Sequence, residues 1–284
     1  MAPVLAILSA AAYGAADFLG GMAARGATAV ATVVVSQTVG LILLLVVLPW
    51  LPETIVSPAD IAWGAVAGLA GGSGVAILYR ALALGPMSLV APLTAVFAAA
   101  LPVFTGLALG ERLSLITTVG IALAAVAIVL IGQERGSIPK SLAQQATARG
   151  LTLSIVAGLL VGVFFTSLER TSAASGLWPL VPARVVAITL FTAYALSGGR
   201  PVLVPRPVAG VAVGAGALDM LANALYLIAV QQGPLSVVAT LASLYPASTI
   251  ILARVLLGER WSRLQAAGIA TAVAATTMIV GGIP

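Results

Sequence analysis

Long apolar runs, rather than alternating positions, organise this chain. Ten stretches stand out: Val4–Met22, Ala29–Trp50, Ile61–Leu84, Met87–Leu109, Leu113–Gly132, Leu151–Leu168, Leu177–Leu196, Val208–Gln231, Leu235–Leu257 and Ser262–Gly282. Each is long enough to cross about 30 Å of hydrocarbon as a helix rising 1.5 Å per residue. Membrane-spanning strands would be shorter and would alternate, which these runs do not. The expected fold is an all-α membrane protein with ten transmembrane helices. Short joints with helix breakers separate the runs: Leu51-Pro52, Gly85-Pro86, Gly198-Gly199-Arg200-Pro201 and Gly233-Pro234. The one long polar connection, Gln133 to Gly150, is the natural linker. The first run starts without a basic leader and carries Asp17, so it reads as a retained helix rather than a cleaved signal.

One stretch occurs twice. Gly85 to Arg112 opens Gly-Pro-x-Ser-x-Val-Ala and closes Leu-Gly-Glu-Arg, and Gly233 to Arg260 does the same. The offset is 148 at both ends (233 − 85 and 259 − 111), and it continues through Ser114/Ser262 and Gly120-Ile121-Ala122/Gly268-Ile269-Ala270. A repeat of this length is a duplicated half-protein. It divides the chain into a first five-helix repeat over 1–136, a linker over 137–148 and a second repeat over 149–284. Five spans per unit is an odd number, so the second unit must insert upside down. Inverted repeats of this kind are frequent among secondary transporters, with the substrate site near mid-membrane between the halves. A duplication that only enlarges a membrane scaffold is the plainer alternative.

Composition narrows the function classes. The chain is 61% hydrophobic and 7% charged, far from the roughly 25% charge of soluble domains. Its net charge of +5 is therefore not a nucleic-acid signal; the basic residues mostly flank apolar runs. There is no Cys and no His, which removes disulfides, thiolate and imidazole metal sites, Cys nucleophiles and Ser-His triads. No Walker A pattern is present, so pumping by bound ATP has no support. No cofactor or metal is expected. The loops after odd-numbered spans hold Arg25, Arg135, Lys140, Arg149, Arg200, Arg206, Arg260 and Arg263, against Arg112 and Arg170 after even-numbered ones. The positive-inside rule places both termini outside.

Ionisable residues inside membrane spans are costly and mark function by default. Asp17, Arg80, Arg184, Asp219 and Arg254 are such residues. The bland reading is mutual neutralisation, Asp17 with Arg80 or Asp219 with Arg184. Asp219, Asn223 and Tyr226 stand at i, i+4 and i+7 and share one helix face. That stripe suits a polar, zwitterionic or cationic ligand, or serves as an interhelical hydrogen-bond ladder. Tyr13 lies one turn before Asp17, and Ser73, Ile77 and Arg80 share a face beside Tyr79. Tyr13, Tyr79 and Tyr245 are candidates for aromatic walls, or are ordinary interface tyrosines. Pro92, Pro102 and Pro246 each free a carbonyl four residues earlier and are hinge candidates for gating, or static bends. Gly64, Gly68 and Gly72 at i, i+4 and i+8 read as close helix packing. The Glu111-Arg112 and Glu259-Arg260 turns read as helix-end and interface charges.

The doubled Gly-Pro-x-Ser-x-Val-Ala, Leu-Gly-Glu-Arg and Gly-Ile-Ala pattern resembles the EamA-type branch of the drug/metabolite transporter superfamily over essentially the whole chain. Tyr13-Gly14 against Gly162, and Tyr79-x-Ala81-Leu82 before the first Gly-Pro, add to it. Arg184 resembles the arginine that the family often carries early in its second and seventh helices; in the first half Ser36-Gln37 stand at that place. The resemblance implies ten helices in two inverted repeats, a central cavity and both termini in the cytoplasm. It implies export of small metabolites such as amino acids, or of toxic organic cations, by alternating access. The combined expectation is a non-enzymatic, multi-pass transporter of the cytoplasmic membrane, monomer or homodimer, moving a small polar or amphipathic metabolite outward. Asp219, Asn223, Tyr226, Tyr13, Asp17, Tyr79, Arg80, Arg184 and Tyr245 are the candidate contacts. A protonatable Asp219 or Asp17 permits exchange against protons. A lipid-linked substrate flippase, and a membrane enzyme or scaffold, are the alternatives from other classes.

Overall fold

The computed structural model describes residues 1–84, 87–131, 140–257 and 262–282, with side chains described outside 83–89, 140–149, 151, 253–254 and 257. Among the described residues eleven α-helices carry the fold: α1 (Ala2–Gly26), α2 (Ala29–Val47), α3 (Pro58–Leu84), α4 (Met87–Ala108), α5 (Leu115–Ile131), α6 (Lys140–Glu169), α7 (Leu180–Ser197), α8 (Arg206–Val230), α9 (Leu235–Ala242), α10 (Tyr245–Leu257) and α11 (Arg263–Gly281). Among the described residues there is no strand. Among the described residues, nine segments are long and apolar enough to cross a membrane, counting Leu235–Leu252 across the α9–α10 break as one; Leu115–Ile131 is a shorter apolar helix.

Three elements differ from the sequence expectation. Helix α6 begins at Lys140 rather than Leu151 and takes in the back of the expected linker. Helix α7 begins at Leu180, after a 3-10 turn at Ala173–Ser175. The ninth span is not one helix: it stops at Ala242 and restarts at Tyr245. Pro246 lacks an N–H and its ring would strike the carbonyl four residues back. The restart places it in a first helical turn, where no N–H is needed. By contrast, α4 runs unbroken through Pro92 and Pro102. The Gly85-Pro86 joint, Arg135 and the Glu259-Arg260 turn lie outside the described residues, as do the side chains of Ser88 and Arg254.

Small residues set the packing. A Cβ on Gly68 would sit 2.6 Å from the Ala183 Cα, and one on Gly72 2.8 Å from the Ala187 Cβ, so α3 lies backbone to backbone along α7. At the repeat-related place, a Cβ on Gly216 would sit 2.8 Å from the Ser36 Cα, bringing α8 as close to α2. The pairing is the same in both halves: α1 packs along α8 as α6 packs along α3, while α5 pairs with α11. Helices α1 and α8 run antiparallel, since Gly26 meets Val208 and Gly233 meets Ala2.

The Leu-Gly-Glu turn after α4 has a defined geometry. Gly110 takes φ +90. The Glu111 N–H donates to the Gly106 carbonyl at 3.0 Å and the Gly110 N–H to Leu107 at 3.1 Å, the paired bonds of a Schellman helix end. The turn aims the Glu111 carboxylate at the start of α9. It accepts from the Leu235 N–H at 2.6 Å, from the Ser236 N–H at 3.2 Å and from the Ser236 hydroxyl. Three further ties between the halves lie in loops at the same end of the helices. Asp60 accepts from the Ser172 N–H at 2.7 Å, the Ile55 N–H donates to Ala174 at 2.9 Å, and the Ser114 hydroxyl donates to Gly282 at 2.8 Å.

Candidate functional site

Midway along the helices, a cavity opens at the seam between the two halves. One side is formed by α1 and α8, which bring Tyr13, Asp17, Asp219 and Asn223 to it. The other is formed by α3 and α6, with Gly71, Val75, Val161, Phe164 and Phe165. Gln37 of α2 and Arg184 of α7 reach in between, and Tyr245 enters just after the helix break.

The polar side is tightly bonded. The Arg184 Nη1 donates to Asp219 Oδ2 at 2.6 Å and to Gln37 Oε1. Asn223 donates to the Asp219 carbonyl at 2.6 Å, which turns its Oδ1 to receive the Tyr13 hydroxyl at 2.9 Å. Arg184, Asp219, Asn223 and Gln37 are all buried. Asp17 is half-buried, and among the described residues it makes no hydrogen bond or ion pair. The apolar side is aromatic: Phe164 and Phe165 lie 5.7 Å apart, and Phe165 stands 5.9 Å from the Tyr13 ring.

The repeat offset exposes a division of labour. Tyr13, Asp17, Asp219 and Asn223 correspond at 148 positions to Val161, Phe165, Gly71 and Val75. All eight line the cavity, and each pair holds one polar and one apolar or glycine partner. The duplication supplied a symmetric scaffold, and side-chain differences made it two-faced.

A family model for the EamA-like transporter family matches residues 1–133 and again 148–281. The chain belongs to the EamA-like transporter family. It is a multi-pass membrane protein and a transporter of the drug/metabolite superfamily. Among solved structures, one titled "Crystal structure of protein" is similar, with a TM-score of 0.68, 17% identity and 98% of each chain covered; that likeness shows the fold. No curated protein matches.

Of the candidate residues in this EamA-like chain, Tyr13, Asp17, Arg184, Asp219, Asn223 and Tyr245 meet at the cavity. Tyr226 does not line it. It is buried about one turn beyond Asn223, stacked on Phe165 at 4.3 Å with its hydroxyl donating to the Phe165 carbonyl at 3.2 Å. Tyr79 is also buried elsewhere, its hydroxyl end lying over Gly20. Arg80 is exposed and pairs with no acid among the described residues. It stands nine residues after Gly71, two and a half turns on at 3.6 residues per turn, and so on the opposite face of α3. The Arg184–Asp219 pairing forms; an Asp17–Arg80 pairing does not. Sequence reasoning treated Gln37 only as a departure from the family and passed over Phe164 and Phe165. The repeat offset from Asp17 to Phe165 was the available signal.

Proposed function

We propose that this EamA-like protein is a secondary transporter of the cytoplasmic membrane that exports a small amphipathic, amino-acid-like metabolite by alternating access. The carrying observation is the two-faced cavity: a polar wall from α1 and α8 facing an apolar, aromatic wall from α3 and α6. Such a site suits a ligand with a charged head and an apolar body. The cavity volume is about 60 Å³, against roughly 300–1,000 Å³ for ligand-filled pockets. Its walls must part to admit substrate, which fits a carrier caught in one of its states. The ties between loops at one helix end support the same reading, as does the five-span parity that calls for two inverted halves.

A second reading has its own observation. Arg184 is matched by Asp219, and Arg80 faces away, so Asp17 is the one acid of the cavity lining with no basic partner among the described residues. That favours efflux of organic cations. One experiment tests export itself: metabolite profiles of the medium from cells expressing the chain, beside Asn223→Val at matched membrane levels. The expected result is one compound class accumulating outside with the wild type only. Profiles equal to empty-vector cells in both cases would overturn export of common metabolites.

A further inference from the structure

Helix α9 forms a buried plug beside the cavity. It runs from the turn at Pro234 to Ala242, and all eight of its residues are buried. Tyr245 enters the cavity just past its end. About 12 Å of helix, at 1.5 Å per residue, thus fills the space between the cavity and the end of the bundle where α4 turns into α5. The other half holds it there. Glu111 accepts from the Leu235 N–H at 2.6 Å, from the Ser236 N–H at 3.2 Å and from the Ser236 hydroxyl. Bonds to a charged acceptor are the stronger kind. The carboxylate lies over bare backbone, since a Cβ on Gly106 would sit 2.7 Å from the Glu111 Cδ. Glu111 is only half-buried, so water can take over its bonds if α9 leaves.

One element of the repeat takes two shapes in this molecule. At the offset of 148, Ala242 to Tyr245 correspond to Thr94 to Phe97. Helix α4 runs unbroken through its copy, while the ninth span stops at Ala242 and restarts at Tyr245. Two residues pull this joint in opposite directions. Pro246, where α4 has Ala98, favours the break because its ring is housed best in a first helical turn. Ser243, where α4 has Ala95, opposes it: in the broken shape its hydroxyl is buried and has no hydrogen-bond partner among the described residues, which costs free energy. Opposed contributions at one joint poise it between two shapes.

We infer that Glu111 is a gating residue for transport. Its grip on Leu235 and Ser236 keeps α9 seated and the cavity shut at this end. Its release lets α9 swing about the Ser243–Leu244 joint into line with α10, the shape that the repeat counterpart already has in α4. Glu111 touches no substrate; it is a positioning residue acting through α9, and Gly106 is the second part of the device because it leaves room for the carboxylate. This inference rests on the reading of the cavity as the transport site, and it names the contact that must break for the cavity to open at this end.

The test measures distances by pulsed electron paramagnetic resonance on the purified full chain in lipid nanodiscs, where the absence of native cysteine lets spin labels be placed at will. Labels on Arg112→Cys and Gln232→Cys, both exposed, face each other across the Glu111 contact. Labels on Gln232→Cys and Val255→Cys, also exposed, mark the two ends of the ninth span. With Glu111 in place, each pair should give mainly one short distance. Glu111→Gln should add a discrete longer distance to both pairs. The ratio of short to long should fall about tenfold, the factor that a hydrogen bond to a charged group is worth. Gly106→Ala keeps the carboxyl but displaces it, and should do the same. A cap that only stabilised α9 would lengthen neither pair. Unmoved distances across the contact in both variants overturn the inference, and so does a longer distance there with no change along the ninth span. Metabolite profiles of the medium keep the two claims apart. Distances that respond in a chain whose wild-type cells export nothing beyond empty-vector cells remove the transport reading and leave the gate. Export by the wild type, with distances unmoved in both variants, removes the gate and leaves transport.

Discussion

Tyr13 and Asn223 join α1 to α8 by one hydrogen bond of 2.9 Å at the edge of the cavity. In lipid, such bonds between helices are worth about 0.6–1.7 kcal/mol, while an orphaned buried polar group costs about 1–3 kcal/mol. Asn223→Val should therefore destabilise the protein by about 1–2 kcal/mol, because it strands the Tyr13 hydroxyl. Tyr13→Phe should cost less, and the double variant less than the two combined. A double-mutant cycle from denaturant unfolding in detergent checks this; strict additivity would mean that the bond carries no coupling energy. The same residues show what a single sequence reveals at this scale. Asp219 and Asn223 were legible because a carboxylate in an apolar run has few places to face. The face of Arg80 was not, because α3 is small and apolar nearly all round and its periodicity marks no single side. Gln37 hid for another reason: an uncharged amide in an apolar helix raises no alarm until its partner is seen.

The eight-residue helix α9 is buried at every position, and its N-cap, Pro234, offers no side-chain acceptor. Its first N–H groups are instead satisfied from the other half, by Glu111. A carboxylate at a helix N-terminus also meets the positive end of the helix dipole. Glu111→Ala should cost about 1–3 kcal/mol and speed hydrogen exchange at Leu235 and Ser236, which thermal unfolding and exchange mass spectrometry can follow. Slow exchange persisting at both amides would show that another group caps α9. The Leu-Gly-Glu-Arg ending at Leu109–Arg112 was legible as a helix end. Its reach across the halves was not, because it depends on the left-handed turn at Gly110 and on which helix start lies opposite. The length of the ninth span was legible too, but its break fell before Pro246 rather than as a bend around it, since the ring is better housed in a new first turn than in a helix interior.

At the scale of the whole molecule, the halves exchange their packing partners, α1 lying along α8 and α6 along α3. The end of α2 abuts the start of α7: the Ile55 N–H donates to Ala174, and a Cβ on Gly176 would lie 2.9 Å from the Thr54 methyl. Glu53 thus stands near one end of α7, and its repeat equivalent Pro201 follows the other end at Ser197. The 18 residues of α7 span about 27 Å at 1.5 Å per residue, close to the thickness of a hydrocarbon core. Both positions are exposed. An inverted repeat therefore predicts that Glu53→Cys and Pro201→Cys react with a membrane-impermeant maleimide from opposite faces. The chain has no cysteine of its own, so each single variant reports without background. Labelling of both from one face of intact cells would end the inverted-repeat proposal. Labelling of Pro201→Cys from outside would agree with cytoplasmic termini, as the family resemblance implies. Labelling of Glu53→Cys from outside would instead follow the arginine-rich loops, and the positive-inside bias would then have set the topology.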